Sequence, residues 1–332
     1  MQETIWFASI MLVIGFALII KGGDIFVDGT VYFAEITRIP KLIIGATIIS
    51  LCTTLPELMV STLAVSGGAP DIGIGNALGS IICNTALILG ISATVLPAHV
   101  HKNTFRAKAA FLLAAIALVF IFMLDKNINA FEGVLLAIVM ILFFAYSITA
   151  AKKARRYNEH EETPEVTRKK IIVNSVKFAL GVAGIIVGAR FLVDNAKFIA
   201  HELGVSDQVI GLTVVALGTS LPELATTISA LVKKEFSLSV GNVIGANILN
   251  IVLILSTCSI ISPTGLQVSM QPLAFFKELV PQSLVFDVPV VLLVSLIVII
   301  PAWIKGRLYR WQGITLLSVY ALYIGYLAIG MF

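Results

Sequence analysis

Apolar residues occur along this chain in runs of about 20, separated by short polar segments. A helix of about 20 residues is long enough to cross the hydrocarbon core of a bilayer. The composition agrees, since 58% of the 332 residues are hydrophobic and only 13% are charged, far from the balance of a soluble domain. The pattern predicts an all-α polytopic membrane protein with ten transmembrane helices, centred near residues 13, 53, 85, 115, 140, 183, 219, 250, 294 and 321.

Part of the chain is repeated. Residues 45–57 read GATIISLCTTLPE and residues 211–223 read GLTVVALGTSLPE, and from 45–90 to 211–256 the two copies are identical at 17 of 46 positions. The chain is therefore interpreted as an internal duplication. Because each half holds five spans, an odd number, the two five-helix repeats must be inverted relative to each other, an arrangement typical of transporters.

The polar segments define the predicted domains and topology. Residues 1–150 form the first repeat, 151–170 a cytoplasmic connector loop and 171–332 the second repeat. Of the 23 basic residues, 19 fall in loops on one side and 4 on the other. The positive-inside rule then places both termini outside a multi-pass protein of the cell membrane. The net charge of +4 reflects this topology and does not indicate nucleic-acid binding. The opening segment is interpreted as the first span, not as a removable signal peptide.

Each copy of the repeat places a carboxylate, Glu57 or Glu223, directly after a proline within an apolar run. An ionisable residue inside a span is costly and indicates a functional site. The prolines are expected to break the second and seventh helices and to release backbone carbonyls. A threonine four residues before each glutamate, Thr53 or Thr219, lies on the same helical face.

The following spans carry matching polar stripes: Asn76, Ser80 and Asn84 in one copy, and Asn242, Ala246 and Asn250 in the other. Asn84 and Asn250 are interpreted as functional, whereas Asn76 and Asn242 fit helix packing equally well, and Ser80 fits either role. The pooled carboxylate, hydroxyl, amide and carbonyl oxygens suit hard cations such as Ca²⁺, Mg²⁺, Na⁺ or K⁺. The three cysteines are interpreted as apolar packing, and the four histidines receive no role.

These motifs, with GIGNALGSIICN and SVGNVIGANILN after them, resemble the two alpha-repeats of the calcium/cation antiporter superfamily, most nearly its prokaryotic sodium/calcium exchanger-like branch. The resemblance implies Ca²⁺/Na⁺ exchange by alternating access, with Glu57 and Glu223 as central ligands. The further ligands or neighbouring groups that it implies are the side chains of Thr53, Thr54, Ser80, Asn84, Thr219, Ser220 and Asn250, and the main-chain carbonyls of Ser50 and Ala216.

Three positions depart from the family pattern. Ile81 replaces an amide in the first copy and Ala246 replaces a hydroxyl in the second, which predicts that one Na⁺ site is weakened or lost. Cys52 stands where the second copy has Gly218, which is expected to narrow the backbone approach there. Asn250, where K⁺-dependent relatives carry Asp, argues against K⁺ co-transport.

Other functions remain as alternatives. A proton-coupled antiporter for calcium or another cation would use the same fold, and protons are expected to compete for the carboxylates. A channel and an intramembrane enzyme are less favoured, the latter because no Asp pair, Ser/His dyad or zinc motif lies at span depth. The expected partners are the transported Ca²⁺ and Na⁺ and the lipid bilayer, without a cofactor or nucleic acid, and the sequence indicates no oligomeric state.

Overall fold

The computed structural model describes residues 4–36, 50–100, 102–155, 167–232, 236–273 and 276–329. Ten helices follow one another within these ranges. Their bounds are α1 Ile5–Ile36, α2 Ser50–Ser66, α3 Pro70–Val95, α4 Lys102–Phe122, α5 Ala130–Arg155, α6 Arg168–Leu203, α7 in two parts, Asp207–Thr219 and Leu221–Val232, α8 in three parts, Phe236–Leu249, Asn250–Leu255 and Ser256–Ile261, α9 Ser283–Lys305, and α10 Arg310–Ile329.

Eight of the described helices are long and apolar enough to cross a membrane, and the two parts of α7 together make a ninth span. The described part of α2 has 17 residues and follows residues 37–49, which lie outside the described ranges. These helices cover the ten predicted span centres. The prediction of an all-α polytopic membrane protein is confirmed, and the helix order is consistent with two inverted five-helix repeats.

Short antiparallel strands connect the ends of the helices. β1 (Ala98–His99) pairs with β6 (Arg307–Leu308), and β2 (Asn127–Ile128) pairs with β3 (Leu266–Gln267). A hairpin of β4 (Met270–Leu273) and β5 (Phe276–Pro281) precedes α9.

The strand pairs identify the two ends of the helix bundle. We call the end with β1 and β6 the inner end and the end with β2 and β3 the outer end. Lys197, near the end of α6, donates a hydrogen bond to the Gly67 carbonyl across the outer end, at 2.8 Å. Contacts of this kind agree with the alternating loop assignment. Which end faces the cytoplasm stays a prediction, and so do the domain bounds, since much of the connector lies outside the described residues.

Helices α1 and α6 pack antiparallel through small residues. A Cβ on Gly15 would lie 2.9 Å from the Gly188 carbonyl oxygen, and one on Gly22 would lie 2.9 Å from that of Gly181. Such close backbone approach is possible only where a side chain is absent. The antiparallel contact of the first and sixth helices is the one that an inverted duplication requires.

Helices α3 and α8 form the centre of the bundle. In each, 78% of the residues of the most apolar window are buried, against 17% in α6. Both contain a π-helical segment, Cys83–Ile88 in α3 and Asn250–Leu255 in α8. π-Helical insertions are rare and occur mostly at functional sites. These two largely buried helices thus have the same irregularity at nearly equivalent positions.

The expected break at the first proline is wrong, since α2 runs without interruption from Ser50 to Ser66 through Pro56. One missing N–H removes one helical hydrogen bond, which a largely buried helix tolerates. The seventh span does break: its two parts meet at Ser220 with a bend of 41°. Pro222 then lies in the first turn of the second part, where its missing N–H leaves no intrahelical bond unmade.

Candidate cation site

Glu57 and Glu223 lie together in the interior. Both side chains are 0% exposed, and the two carboxylates are within electrostatic range of each other. None of their four oxygens has a hydrogen-bond partner. A buried carboxylate without partners is strongly unfavourable, and a second carboxylate beside it adds repulsion. This pair therefore has the character of a site that is completed by a cation.

Other buried hydroxyl and amide side chains come from α2, α3, α7 and α8. The hydroxyl of Ser220 faces Glu57, and the hydroxyl of Thr53 faces Glu223. The side chains of Ser80, Asn84 and Asn250 are buried with their polar atoms unpaired, as is the Ser220 hydroxyl. Native structures rarely leave such groups unpaired. Most of the predicted side-chain ligands are therefore buried and have oxygen atoms that are available to bind a cation.

Two asparagines connect the repeats. The Asn76 amide nitrogen donates to the Glu57 main-chain carbonyl at 3.2 Å, and its oxygen accepts from the Thr219 hydroxyl at 3.0 Å. In the other direction, Ser50 donates to the Asn242 side-chain oxygen at 2.9 Å. Both amides are thus used in packing between the halves. Of the two roles open for Asn76 and Asn242, the structure favours helix packing.

The predicted main-chain ligands already accept local hydrogen bonds. The Ser50 carbonyl accepts from the Thr54 hydroxyl at 2.7 Å and from Thr53 at 3.3 Å. The Ala216 carbonyl accepts from the Ser220 N–H at 3.1 Å and from the Thr219 hydroxyl at 3.3 Å. The Thr54 hydroxyl is fully buried and points at this backbone. A role for either carbonyl or for Thr54 in binding an ion stays a prediction.

The departures from the repeat pattern are buried. Ile81 and Ala246 are each 0% exposed, and neither side chain contains an oxygen. The amide nitrogen of Asn247, next to Ala246, donates to the Thr85 hydroxyl at 2.6 Å. A Cβ on Gly218 would overlap the ring of Phe16 in α1. Cys52, its counterpart, packs with Phe26 and Ile185. Positions 52 and 218 therefore both contact the α1–α6 pair, but each contacts different side chains of it.

Some contributing residues were missed from sequence. Ser61 accepts from the Asn76 amide at 2.9 Å, and Thr226 accepts from that of Asn242 at 3.2 Å. They follow Glu57 and Glu223 by one helical turn, and this spacing was the available signal. The Cys83 thiol, interpreted as apolar packing, lies within electrostatic range of both glutamates. Its position beside Asn84 gave no such indication.

The donor set distinguishes the site from a conventional metal centre. Across the part of the chain that the structure describes, no group of three or more His, Cys, Asp or Glu side chains is arranged to hold a metal ion. The two carboxylates, with the neutral hydroxyls and amides of the predicted ligands, would make a weakly charged site of oxygen ligands. Such a site suits a hard cation that is bound and released.

Comparisons with known proteins find similar chains over most of the length of this one. The chain is 35% identical to the inner membrane protein YrbG of Escherichia coli over 89% of each chain. It is 29% identical to the sodium/calcium exchanger MaX1 of Methanosarcina acetivorans, over 95% of this chain and 97% of that one. A solved structure of the sodium-calcium exchanger NCX_Mj, soaked with Na⁺ and Sr²⁺, matches 97% of this chain and 99% of that chain, with a TM-score of 0.67 and 31% identity.

The family model described as "Sodium/calcium exchanger protein" matches residues 7–149 and 174–329. These ranges include both glutamates and the π-helical segments of α3 and α8. The protein is therefore a multi-pass membrane transporter, not an enzyme, and it belongs to the sodium/calcium exchanger protein family.

Proposed function

We propose that this protein is a secondary active antiporter that exchanges Ca²⁺ for Na⁺ across the cell membrane. The observation that carries the proposal is the buried pair Glu57 and Glu223, four carboxylate oxygens without a partner, supplied by equivalent positions of the two repeats. The names of MaX1 and NCX_Mj support the choice of ions. Ca²⁺ and Na⁺ act as substrates, and the proposal includes no resident cofactor.

The charge of the site gives the reason for exchange. Two carboxylates carry a charge of −2, which one Ca²⁺ neutralises and which Na⁺ ions neutralise in its absence. Thr53, Thr219, Ser220, Ser80, Asn84 and Asn250 are proposed to add neutral oxygens, with the carbonyls of Ser50 and Ala216. Because both ions need the same carboxylates, each excludes the other, and this competition couples the two fluxes.

Transport is proposed to proceed by alternating access. The ligands lie on α2, α3, α7 and α8, which are packed into one core. The α1–α6 pair lies beside them, and its two helices contact each other closely at glycines. We assign the moving surface to this pair, which would open the occupied site to one end at a time. The outer end is proposed to face the cell exterior, with both termini there.

The experiment is counterflow in proteoliposomes. Vesicles loaded with Na⁺ are diluted into Na⁺-free buffer, and entry of radioactive Ca²⁺ is followed for the parent protein and for Glu57→Gln and Glu223→Gln. We expect uptake that requires internal Na⁺ and is abolished in both variants. Glu202→Gln, an exposed glutamate on α6, is the matched control and is expected to exchange normally. Exchange that persists in both site variants would contradict the assignment of the glutamates.

A proton-coupled antiporter of the same fold is the second candidate. The observation that favours it is Ala246, which leaves the second repeat without the buried hydroxyl that Ser80 provides in the first. Carboxylates that lack a Na⁺ ligand remain able to exchange protons. Imposing a Na⁺ gradient and a pH gradient separately distinguishes the two: uptake driven by pH alone, without Na⁺, identifies protons as the coupling ion.

A further inference from the structure

A second buried carboxylate lies outside the candidate site. Asp287, the last residue of the π-helical turn Ser283–Asp287 that begins α9, is 0% exposed. One oxygen accepts from the Tyr323 hydroxyl of α10 at 3.0 Å, and the other accepts from the Gln208 amide of α7 at 3.1 Å. Since both oxygens accept hydrogen bonds from neutral donors, this carboxylate is already satisfied and does not have the character of a cation ligand.

Gln208 is the centre of this network. Besides Asp287, its amide nitrogen donates to the Ser283 hydroxyl at 2.9 Å, and its oxygen accepts from the Ser269 hydroxyl at 2.7 Å. Ser269 belongs to the loop that leads into the β4–β5 hairpin. Because the Asp287 carboxylate accepts, a reversed amide would put its oxygen against that carboxylate and lose the bond, whereas the two serine hydroxyls could turn to keep theirs. The orientation of Gln208 is therefore fixed by Asp287 of α9.

The main chain of Gln208 contacts the helix that carries the site. A Cβ on Gly75 would lie 2.7 Å from the Gln208 carbonyl oxygen, and one on Gly211 would lie 2.8 Å from that of Ile72. The first part of α7 thus packs directly on the backbone of α3. Asn76 follows Gly75 and holds both the Thr219 hydroxyl and the Glu57 carbonyl. A shift at the start of α7 would be transmitted to these groups.

We propose that Asp287 is a positioning residue for the cation site, acting through Gln208 to hold the outer part of α7 against α3. This inference rests on the proposed exchange function. It assigns Asp287 a role in the geometry of Thr219 and Glu223 without contact to the ion. Its loss changes the affinity of the site for cations more than the rate at which the occupied protein turns over.

The direct test is Asp287→Asn, which keeps the shape of the side chain. An asparagine can keep both contacts, with its oxygen accepting from Gln208 and its NH₂ donating to the Tyr323 oxygen, but it removes the negative charge, so the bond from Gln208 becomes a weaker neutral one. Combining it with Gln208→Glu restores a bond between a neutral amide and a carboxylate, since the serine hydroxyls can turn to donate to the new carboxylate. If Asp287 acts through Gln208, this double variant should recover function.

The measurement is Na⁺-driven Ca²⁺ uptake, analysed for KM and maximal rate. We expect Asp287→Asn to raise the KM for Ca²⁺ about fivefold with a maximal rate within about twofold of the parent. The double variant is expected to return the KM to within about twofold. Ser295→Ala removes a buried hydroxyl two turns along the same helix and serves as the control, with KM unchanged.

Ser269→Ala keeps the test valid if Asp287→Asn fails to fold. It deletes the bond to the Gln208 oxygen, together with the contacts of the Ser269 hydroxyl to Gln271 and Asp71, and is expected to raise the KM about threefold. An unchanged KM in Asp287→Asn or in Ser269→Ala, or a double variant no better than Asp287→Asn, would overturn the inference. Absence of exchange in the parent protein would instead contradict the proposed function, so the two failures are distinguishable.

Discussion

The Thr219 hydroxyl donates a hydrogen bond to the Asn76 side-chain oxygen over 3.0 Å, and this bond joins the two repeats beside the glutamates. Asn76 is 0% exposed, and its nitrogen also donates to the Glu57 carbonyl and the Ser61 hydroxyl. One amide thus fixes the backbone of one glutamate and the hydroxyl that lies one turn before the other. Asn76 is therefore placed to hold the two carboxylates in a fixed position relative to each other.

Asn76→Ala is therefore expected to weaken cation binding and to lower stability. Three buried hydrogen bonds are lost, and the Glu57 carbonyl loses its amide donor, at a cost of about 1–3 kcal/mol. We expect the KM for Ca²⁺ uptake to rise about fivefold and the unfolding temperature to fall. Asn174→Ala is the control, because the Asn174 amide donates within its own helix, to the Lys170 carbonyl. Equal effects of the two substitutions would contradict the role of Asn76.

The glutamate pair leads to a prediction about stability without ions. Two buried carboxylates close together destabilise the empty protein, so neutralising one relieves repulsion and desolvation. Glu57→Gln and Glu223→Gln are expected to unfold at a higher temperature than the parent in buffer with chelator. Added Ca²⁺ should stabilise the parent by mass action and leave both variants unchanged. Ca²⁺-dependent stabilisation that survives in both variants would place the ion elsewhere.

Much of this architecture was predictable because its signals can be read from the linear sequence. Membrane spans appear directly as apolar runs, and the repeat, whose copies are offset by 166 residues, identifies Glu57 and Glu223 as a pair. Because the repeat also fixes the number of spans in each half, it predicts that the first and sixth helices run in opposite directions. These inferences need no knowledge of which side chains touch.

Other features depend on contacts that the sequence pattern does not encode. Asp287, Gln208, Ser269 and Tyr323 are far apart in the chain and have no common spacing, so their network has no sequence signature. The uninterrupted helix at Pro56 reflects packing around α2, which compensates for one lost hydrogen bond. The bend at Ser220, in the equivalent segment of the other repeat, confirms that proline alone does not decide where a buried helix breaks.

Ala246 gives a prediction about the response to Na⁺. Ser80 offers a buried hydroxyl without a partner, whereas its counterpart Ala246 is buried and has none. Ala246→Ser is expected to restore a second hydroxyl and to increase both the apparent affinity for Na⁺ and the steepness of its concentration dependence. Ser80→Ala is expected to reduce both. The measurement is Ca²⁺ efflux as external Na⁺ is varied.

The two variants act as mutual controls, since they change the same group in opposite directions at equivalent positions. Expression level and unfolding temperature show that each protein is folded. If both variants respond to Na⁺ as the parent does, hydroxyls at this position of the repeat do not bind the coupling ion. A response to pH without a response to Na⁺ would favour the proton-coupled alternative.

The glycine contacts between α1 and α6 give the last prediction. A Cβ at position 22 would meet the Gly181 oxygen and the Ile185 nitrogen at 2.9 Å, and these are backbone atoms that cannot rotate away. Gly22→Ala is therefore expected to push the two helices apart, to cost about 1–3 kcal/mol of stability and to slow exchange. Gly325→Ala, in α10, is the matched control because a Cβ there meets nothing within 4 Å. Since alanine also favours helix, the control should be as stable as the parent or slightly more so. If Gly22→Ala were equally stable and active, the close approach of α1 and α6 would not be needed for the fold or for transport.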